Sequence, residues 1–127
     1  MRMIADVIRL HAADRPEAPA LRHGGRELTY GELDERSSRL AQALLAGGVG
    51  AGTRVAYLDR SAPEVVELLF AAAKVGAVLV PLNWRLAPPE LAAVLADAQA
   101  PVLIAGPDYR ERAEDVLERL SPRPDLV

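Results

Sequence analysis

Apolar residues recur along this chain at two spacings, and the alternation between them predicts its architecture. Over residues 3–13, Ile4, Val7, Ile8 and Leu10 fall at helical spacing, and Pro16 closes that helix. Ala20–Leu21 and Glu27–Leu28 flank His23-Gly24-Gly25-Arg26, which reads as a hairpin turn. In Leu28–Leu33 (LTYGEL), Thr29 suits a helix N-cap and Glu32, three residues on, completes a capping box. Leu28 and Leu33 then take the two ends of a hydrophobic staple, which gives four of the six residues a reason. The helix that follows is expected to bury Leu33, Leu40, Leu44 and Leu45. Gly47 and Gly48 end it, since glycine tolerates the left-handed conformation after a last turn.

The second half alternates strands and helices. Arg54–Leu58 is a short strand, and Ser61 with Glu64 forms a second capping box, Pro63 being tolerated in the first turn. Val65, Leu68, Leu69 and Ala72 are the expected inward face, and Gly76 closes the helix. Ala77–Val80 is continuously apolar, as in a strand covered on both faces. Pro88 and Pro89 open a helix with Leu91, Val94 and Leu95 buried, and Val102–Ala105 is a further strand. Tyr109–Leu120 is a charged helix whose apolar side is Val116, Leu117 and Leu120; Asp115 and Arg119 pair in the favourable order. Pro122 and Pro124 break it, and Asp125-Leu126-Val127 reads as the start of a strand. Helix, hairpin, helix and three strand–helix repeats predict an α/β fold. Its parallel βαβ units would form a Rossmann-like three-layer arrangement behind an N-terminal helix and β-hairpin.

Composition narrows the class. A chain of 127 residues, half of them hydrophobic, is one globular domain or part of one. A net charge of −3 argues against nucleic acid or an anionic membrane surface as partner. The absence of cysteine excludes disulfides, thiol nucleophiles and thiolate metal sites. Asp6, Arg9 and His11 interrupt the apolar N-terminus, which lacks a signal-peptide pattern, and no apolar run reaches the length of a membrane span. A cytoplasmic location is expected.

The candidates for chemistry mostly have structural readings. Gly47-Gly48-Val49-Gly50-Ala51-Gly52 suggests a dinucleotide fingerprint, but the required third glycines are Thr53 and Val55. The loop also leaves a helix and enters a strand, the reverse of a phosphate cradle. Lys74, the only lysine, sits in a last helical turn, where a cation favours the helix dipole. His11 and His23 have no partner pattern. Glu111, Glu114, Asp115 and Glu118 alternate with Arg110, Arg112 and Arg119 as a solvated face. Trp84 and Arg85 follow a strand end, the edge at which α/β sheets place ligands; a binding role and a packing or cation–π role both fit.

Two segments carry a resemblance. Leu28–Leu33 resembles the leading motif of the AMP-forming acyl-CoA synthetase and adenylation-domain superfamily, Leu-(Thr/Ser)-Tyr-x-Glu-Leu. Lys74-Val75-Gly76 and the run into Pro81-Leu82-Asn83 resemble its second motif, Lys-x-Gly-x-x-x-x-Pro-Leu-Asn. Asn83–Leu91 is similar to the synthetase continuation Asn-x-Arg-Leu-Thr-Pro-x-Glu-Leu, with Ala87 in place of the usual threonine cap. Asp59–Glu64 is similar to the family's Asn-Ser-x-Glu helix entry.

The resemblance implies a two-step reaction for an intact enzyme. A carboxylic acid attacks the α-phosphate of ATP to give an acyl-adenylate and pyrophosphate, and coenzyme A then displaces AMP. The phosphate loop, the acidic magnesium site and the catalytic lysine of such enzymes match no position here and are expected beyond Val127. No residue of this chain is therefore expected to be catalytic, cofactor-binding or metal-ligating. The expected role is that of scaffold, an incomplete piece of the large N-terminal domain of an acid–CoA ligase of fatty acid metabolism. Alternatives are a peptide-synthetase adenylation domain, against which Asn83 in place of Asp argues, and a stand-alone α/β binding module. Faces meant for the rest of the large domain are expected to favour self-association. The acid is not identified.

Overall fold

A computed structural model describes residues 4–60 and 63–127. Close contacts divide the chain into two compact units, Met1–Ala51 with Ser61–Ala77 and Gly52–Arg60 with Val78–Val127.

The first unit holds α1 (Ile4–Asp14), the strands β1 (Pro19–His23) and β2 (Arg26–Thr29), α2 (Tyr30–Ala46) and α3 (Pro63–Val75). β1 and β2 pair antiparallel with His23 opposite Arg26. Gly24 and Gly25 between them have φ of +54° and +82°, the left-handed pair that a two-residue turn needs to match strand twist. α2 begins as the sequence predicts. Thr29 Oγ1 accepts from the Glu32 N–H at 3.1 Å, Glu32 Oε1 accepts from the Thr29 N–H at 3.1 Å, and Leu28 and Leu33 are buried. At its end Gly48, with φ +89°, takes the left-handed position.

The buried stripes differ from the expected ones. On α2 the buried residues are Leu33, Ser37, Ala41 and Leu44, while Leu45 is exposed. On α3 they are Pro63, Glu67, Leu68, Ala71 and Ala72, while Leu69 is exposed. The two helices pack on each other, and small or polar side chains line their seam where leucines were expected. The expected second capping box involves Ser61, which lies outside the described residues; its partner Glu64 accepts instead from Arg26 Nη1 at 2.7 Å.

The second unit holds β3 (Arg54–Leu58), β4 (Val78–Pro81), α4 (Pro88–Ala98), β5 (Val102–Ala105), a 3₁₀ turn (Pro107–Tyr109), α5 (Arg110–Glu118) and β6 (Asp125–Leu126). The strands form a fully parallel sheet in the order β4-β3-β5-β6. Ala56, Leu58 and Leu103 pack with Leu91 and Leu95 of α4 and with Ala113, Val116 and Leu117 of α5. Val55 lies on the opposite face of β3, by the strand period of two, and is also fully buried. β3 and β5 are the inner strands of the sheet, and β3 is covered on both faces. β4 is at the edge, and Val78 is 48% exposed, which corrects the expectation from its apolar run. On α4 Val94 faces solvent and Ala92 takes the buried place. The charged helix starts one residue later than expected, because Tyr109 ends the 3₁₀ turn with its ring buried. Among the described residues no helix is long and apolar enough to cross a membrane.

Candidate functional site

The strand order reverses direction within the sheet. The chain passes from β3 to β4 on one side, then crosses to β5 and β6 on the other. The loops after β3 and β5 therefore diverge at their carboxyl ends, the place where parallel sheets open a ligand crevice. Three loops of the second unit meet there: Asp59-Arg60 after β3, Asn83–Leu86 after β4, and Gly106–Tyr109 after β5.

Trp84 is the centre of this cluster. The guanidinium carbons of Arg60 and Arg85 lie 4.7 and 4.5 Å from its ring centroid. Tyr109 meets it edge-on at 6.3 Å, and Arg112 lies 5.7 Å from the Tyr109 ring. Arg60 Nε donates to the Tyr109 hydroxyl at 2.9 Å, and Arg112 Nη1 donates to the Trp84 carbonyl. Asn83 shapes the approach: its Oδ1 accepts from the Arg85 N–H at 3.0 Å and its carbonyl from the Leu86 N–H at 3.0 Å. Asp59 Oδ1 accepts from the Arg60 N–H at 2.7 Å, and a Cβ on Gly106 would run into the Asp59 carboxylate and force it to shift. Of the two readings of Trp84 and Arg85, the packing and cation–π contacts are present, at the edge where parallel sheets open a ligand crevice. Sequence reasoning missed Arg60, Tyr109 and Arg112, whose only signal is that each follows a strand or opens a helix. The cluster gathers cations and flat rings and suits an anionic or planar partner. It offers no nucleophile–base pair for group transfer.

Lys74 lies in the first unit and does more than favour a helix dipole. Its side chain is 6% exposed, and its ammonium donates to four oxygens of α2. Asp34, Ser37 and Ser38 supply them because residues three and four apart share a helix face. Two turns earlier on α3, Glu67 accepts from Arg36 Nε at 2.6 Å.

The remaining candidates are structural. The glycine-rich loop joins α2 to β3, a helix to a strand, and so is no phosphate cradle. His11 meets the Tyr30 ring at 4.9 Å between centroids and lies 3.2 Å from Arg15 Nη2; His23 is exposed at the end of β1. Arg110 pairs with Glu114 and Arg119 with Asp115 on the outside of α5. No three His, Cys, Asp or Glu side chains among the described residues are grouped to hold a metal.

Comparison with known proteins identifies the family of this chain. Residues 8–126 match the model of the AMP-binding enzyme family. Feruloyl-CoA synthase from an Amycolatopsis species is 54% identical over 96 residues, 76% of this chain and 20% of that enzyme. Indoleacetate–CoA ligase from Aromatoleum aromaticum is 42% identical over 106 residues, 84% of this chain and 21% of the ligase. The inhibitor-bound N-terminal domain of FACL13 from Mycobacterium tuberculosis superposes with a TM-score of 0.90 at 32% identity, over 100% of this chain and 33% of that one. The chain thus spans about a fifth of the length of the curated relatives it matches. With the family model covering nearly every residue and both motif segments seated in the expected elements, the chain belongs to the AMP-binding enzyme family, over the N-terminal portion of its members.

Proposed function

We propose that this chain is the N-terminal part of an ATP-dependent, AMP-forming acid–CoA ligase of the cytoplasm, and that by itself it is an inactive scaffold. Residues 1–127 would be one subdomain of the large N-terminal domain, with no second domain in the chain. The carrying observation is the 54% identity to feruloyl-CoA synthase over a stretch that makes up only 20% of that enzyme. The same relatives favour an aromatic carboxylic acid as substrate. Feruloyl-CoA synthase and indoleacetate–CoA ligase share more identical residues, at 54% and 42%, than the fatty acid–acyl-carrier-protein ligase ScoC of Streptomyces coeruleorubidus, at 39%.

The glycine-rich loop leaves a helix and enters a strand, so it is no cradle for the phosphates of ATP, and no three metal-ligating side chains are grouped among the described residues. No step of adenylation or thioester formation is assigned to them. Their part is to build the sheet and to fix, through Trp84 and its guanidinium neighbours, the three loops at its carboxyl edge.

Two assays test this reading. The 127-residue chain, given ATP, magnesium and ferulate, is expected to release no pyrophosphate, and Trp84 fluorescence is expected to show no saturable response to micromolar ATP. Either activity overturns the scaffold role. A longer protein carrying this segment is expected to convert ferulate or a hydroxybenzoate to its CoA thioester. Activity confined to saturated fatty acids would overturn the aromatic assignment.

A further inference from the structure

The surroundings of Lys74 are unusual for a lysine that no function has claimed. Its Nζ lies 2.6 Å from Asp34 Oδ1, 2.7 Å from Ser38 Oγ, 2.9 Å from Ser37 Oγ and 2.9 Å from the Asp34 carbonyl. Ser37 is fully buried, and its hydroxyl proton is directed to the Asp34 carbonyl at 3.0 Å, which leaves its lone pairs facing the ammonium. An ammonium has three protons, and here four oxygens stand within hydrogen-bond distance. At least one N–H must be shared. A set of oxygens that outnumbers the donors matches a spherical charge better than a directional one.

We propose that the Asp34–Ser37–Ser38 face of α2 is a monovalent-cation receptor whose resident occupant is the tethered ammonium of Lys74. Its chemistry selects the charge. One carboxylate and three neutral oxygens balance a single positive charge. Contacts of 2.6–2.9 Å exceed the about 2.0–2.1 Å of magnesium and reach past the about 2.3–2.6 Å of calcium. Potassium, ammonium and primary alkylammonium ions are the class it takes. In the native chain the tether keeps Lys74 at high local concentration, so free cations do not compete.

The test is chemical rescue of Lys74→Ala, which empties the receptor and leaves its oxygens in place. Urea midpoints are measured by far-ultraviolet circular dichroism, at constant ionic strength, in tetramethylammonium, potassium, n-propylammonium and, as a neutral control, n-propanol. The expected result is a lowered midpoint in tetramethylammonium, of which potassium or n-propylammonium restores at least half and propanol none. The Ser38→Ala/Lys74→Ala double variant is expected to lose most of that restoration, and the native chain to show no cation preference. Equal midpoints for Lys74→Ala in all the salts would overturn the proposal, as would failure of that variant to fold in any of them. Lys74→Arg separates this from the helix dipole. It keeps a charge in the last turn but brings a planar, bulkier head, and a native midpoint for it would refute a receptor shaped for a compact cation.

Discussion

At the scale of single residues, the two positions of LTYGEL that local pattern left unexplained have tertiary roles. The Tyr30 ring meets His11 and Arg15 of the first helix and its exit, and the Tyr30 N–H donates to the Ala18 carbonyl at 3.0 Å. The Gly31 N–H donates to the Pro16 carbonyl at 2.8 Å, and a Cβ there would lie 3.0 Å from that same oxygen. The neighbour is backbone and cannot swing aside. Gly31→Ala is therefore expected to lower stability by about 1–2 kcal/mol despite alanine's better helix propensity; a urea midpoint at or above the native value would refute the close approach. Glu64 supplies a pH dependence. The Arg26 guanidinium, hydrogen-bonded to it, holds its carboxyl below the ordinary value, and a carboxylate with a depressed folded pKa stabilises the fold above its unfolded pKa. That contribution is lost as pH falls through the folded value, so stability should decline on the acid side of about pH 4.3. The Glu64→Gln variant should show a shallower decline in acid titration followed by circular dichroism.

At the scale of elements, helix starts and strand positions were legible because they rest on local rules: the capping box at Thr29, the paired glycines of the hairpin, the apolar runs at Arg54–Leu58 and Val102–Ala105. The helix stripes were less so. Leucine spacing marked Leu45, Leu69 and Val94 for burial, and all three are exposed. The seam between α2 and α3 is filled instead by Ser37, Ala41 and Glu67, with Lys74 and Arg36 supplying the partners. Hydrophobicity cannot flag a polar side chain whose partner lies some thirty to forty residues away. The edge position of β4 was hidden for a similar reason, since an apolar run does not state its place in the strand order. The arginine–aromatic cluster was half visible, as Trp84 and Arg85, and its other members depend on which strand ends are neighbours. One helix start departs from the rule. Ala87 has the extended backbone of an N-cap, and Glu90 Oε1 accepts from its N–H at 3.2 Å, but it has no side-chain oxygen to return. Ala87→Thr is expected to raise stability by about 1 kcal/mol, read as a higher urea midpoint; no gain would mean that the exposed turn is already satisfied by solvent.

At the scale of the whole molecule, the sheet has two edges, β4 and β6, and β6 is only Asp125–Leu126. Val78 on one edge and Ile4 and Leu10 on α1 are apolar and exposed, at 48%, 59% and 50%. Open strand edges and apolar patches favour association. Sedimentation velocity over a concentration series is expected to show reversible self-association of the isolated chain. A strictly monomeric species at high concentration would argue against faces prepared for further protein.

The burial of Lys74 gives this polypeptide a built-in reporter. It is the only lysine in 127 residues, and 6% of its side chain is exposed. A protease that cuts after lysine has one peptide bond to attack, and in the folded chain the lysine side chain it must grip is buried against α2. Cleavage should therefore proceed only through molecules in which the end of α3 has parted from α2. Its rate, measured against urea, would read the free energy of that local opening without any label, and would register whatever later tightens or loosens the pair.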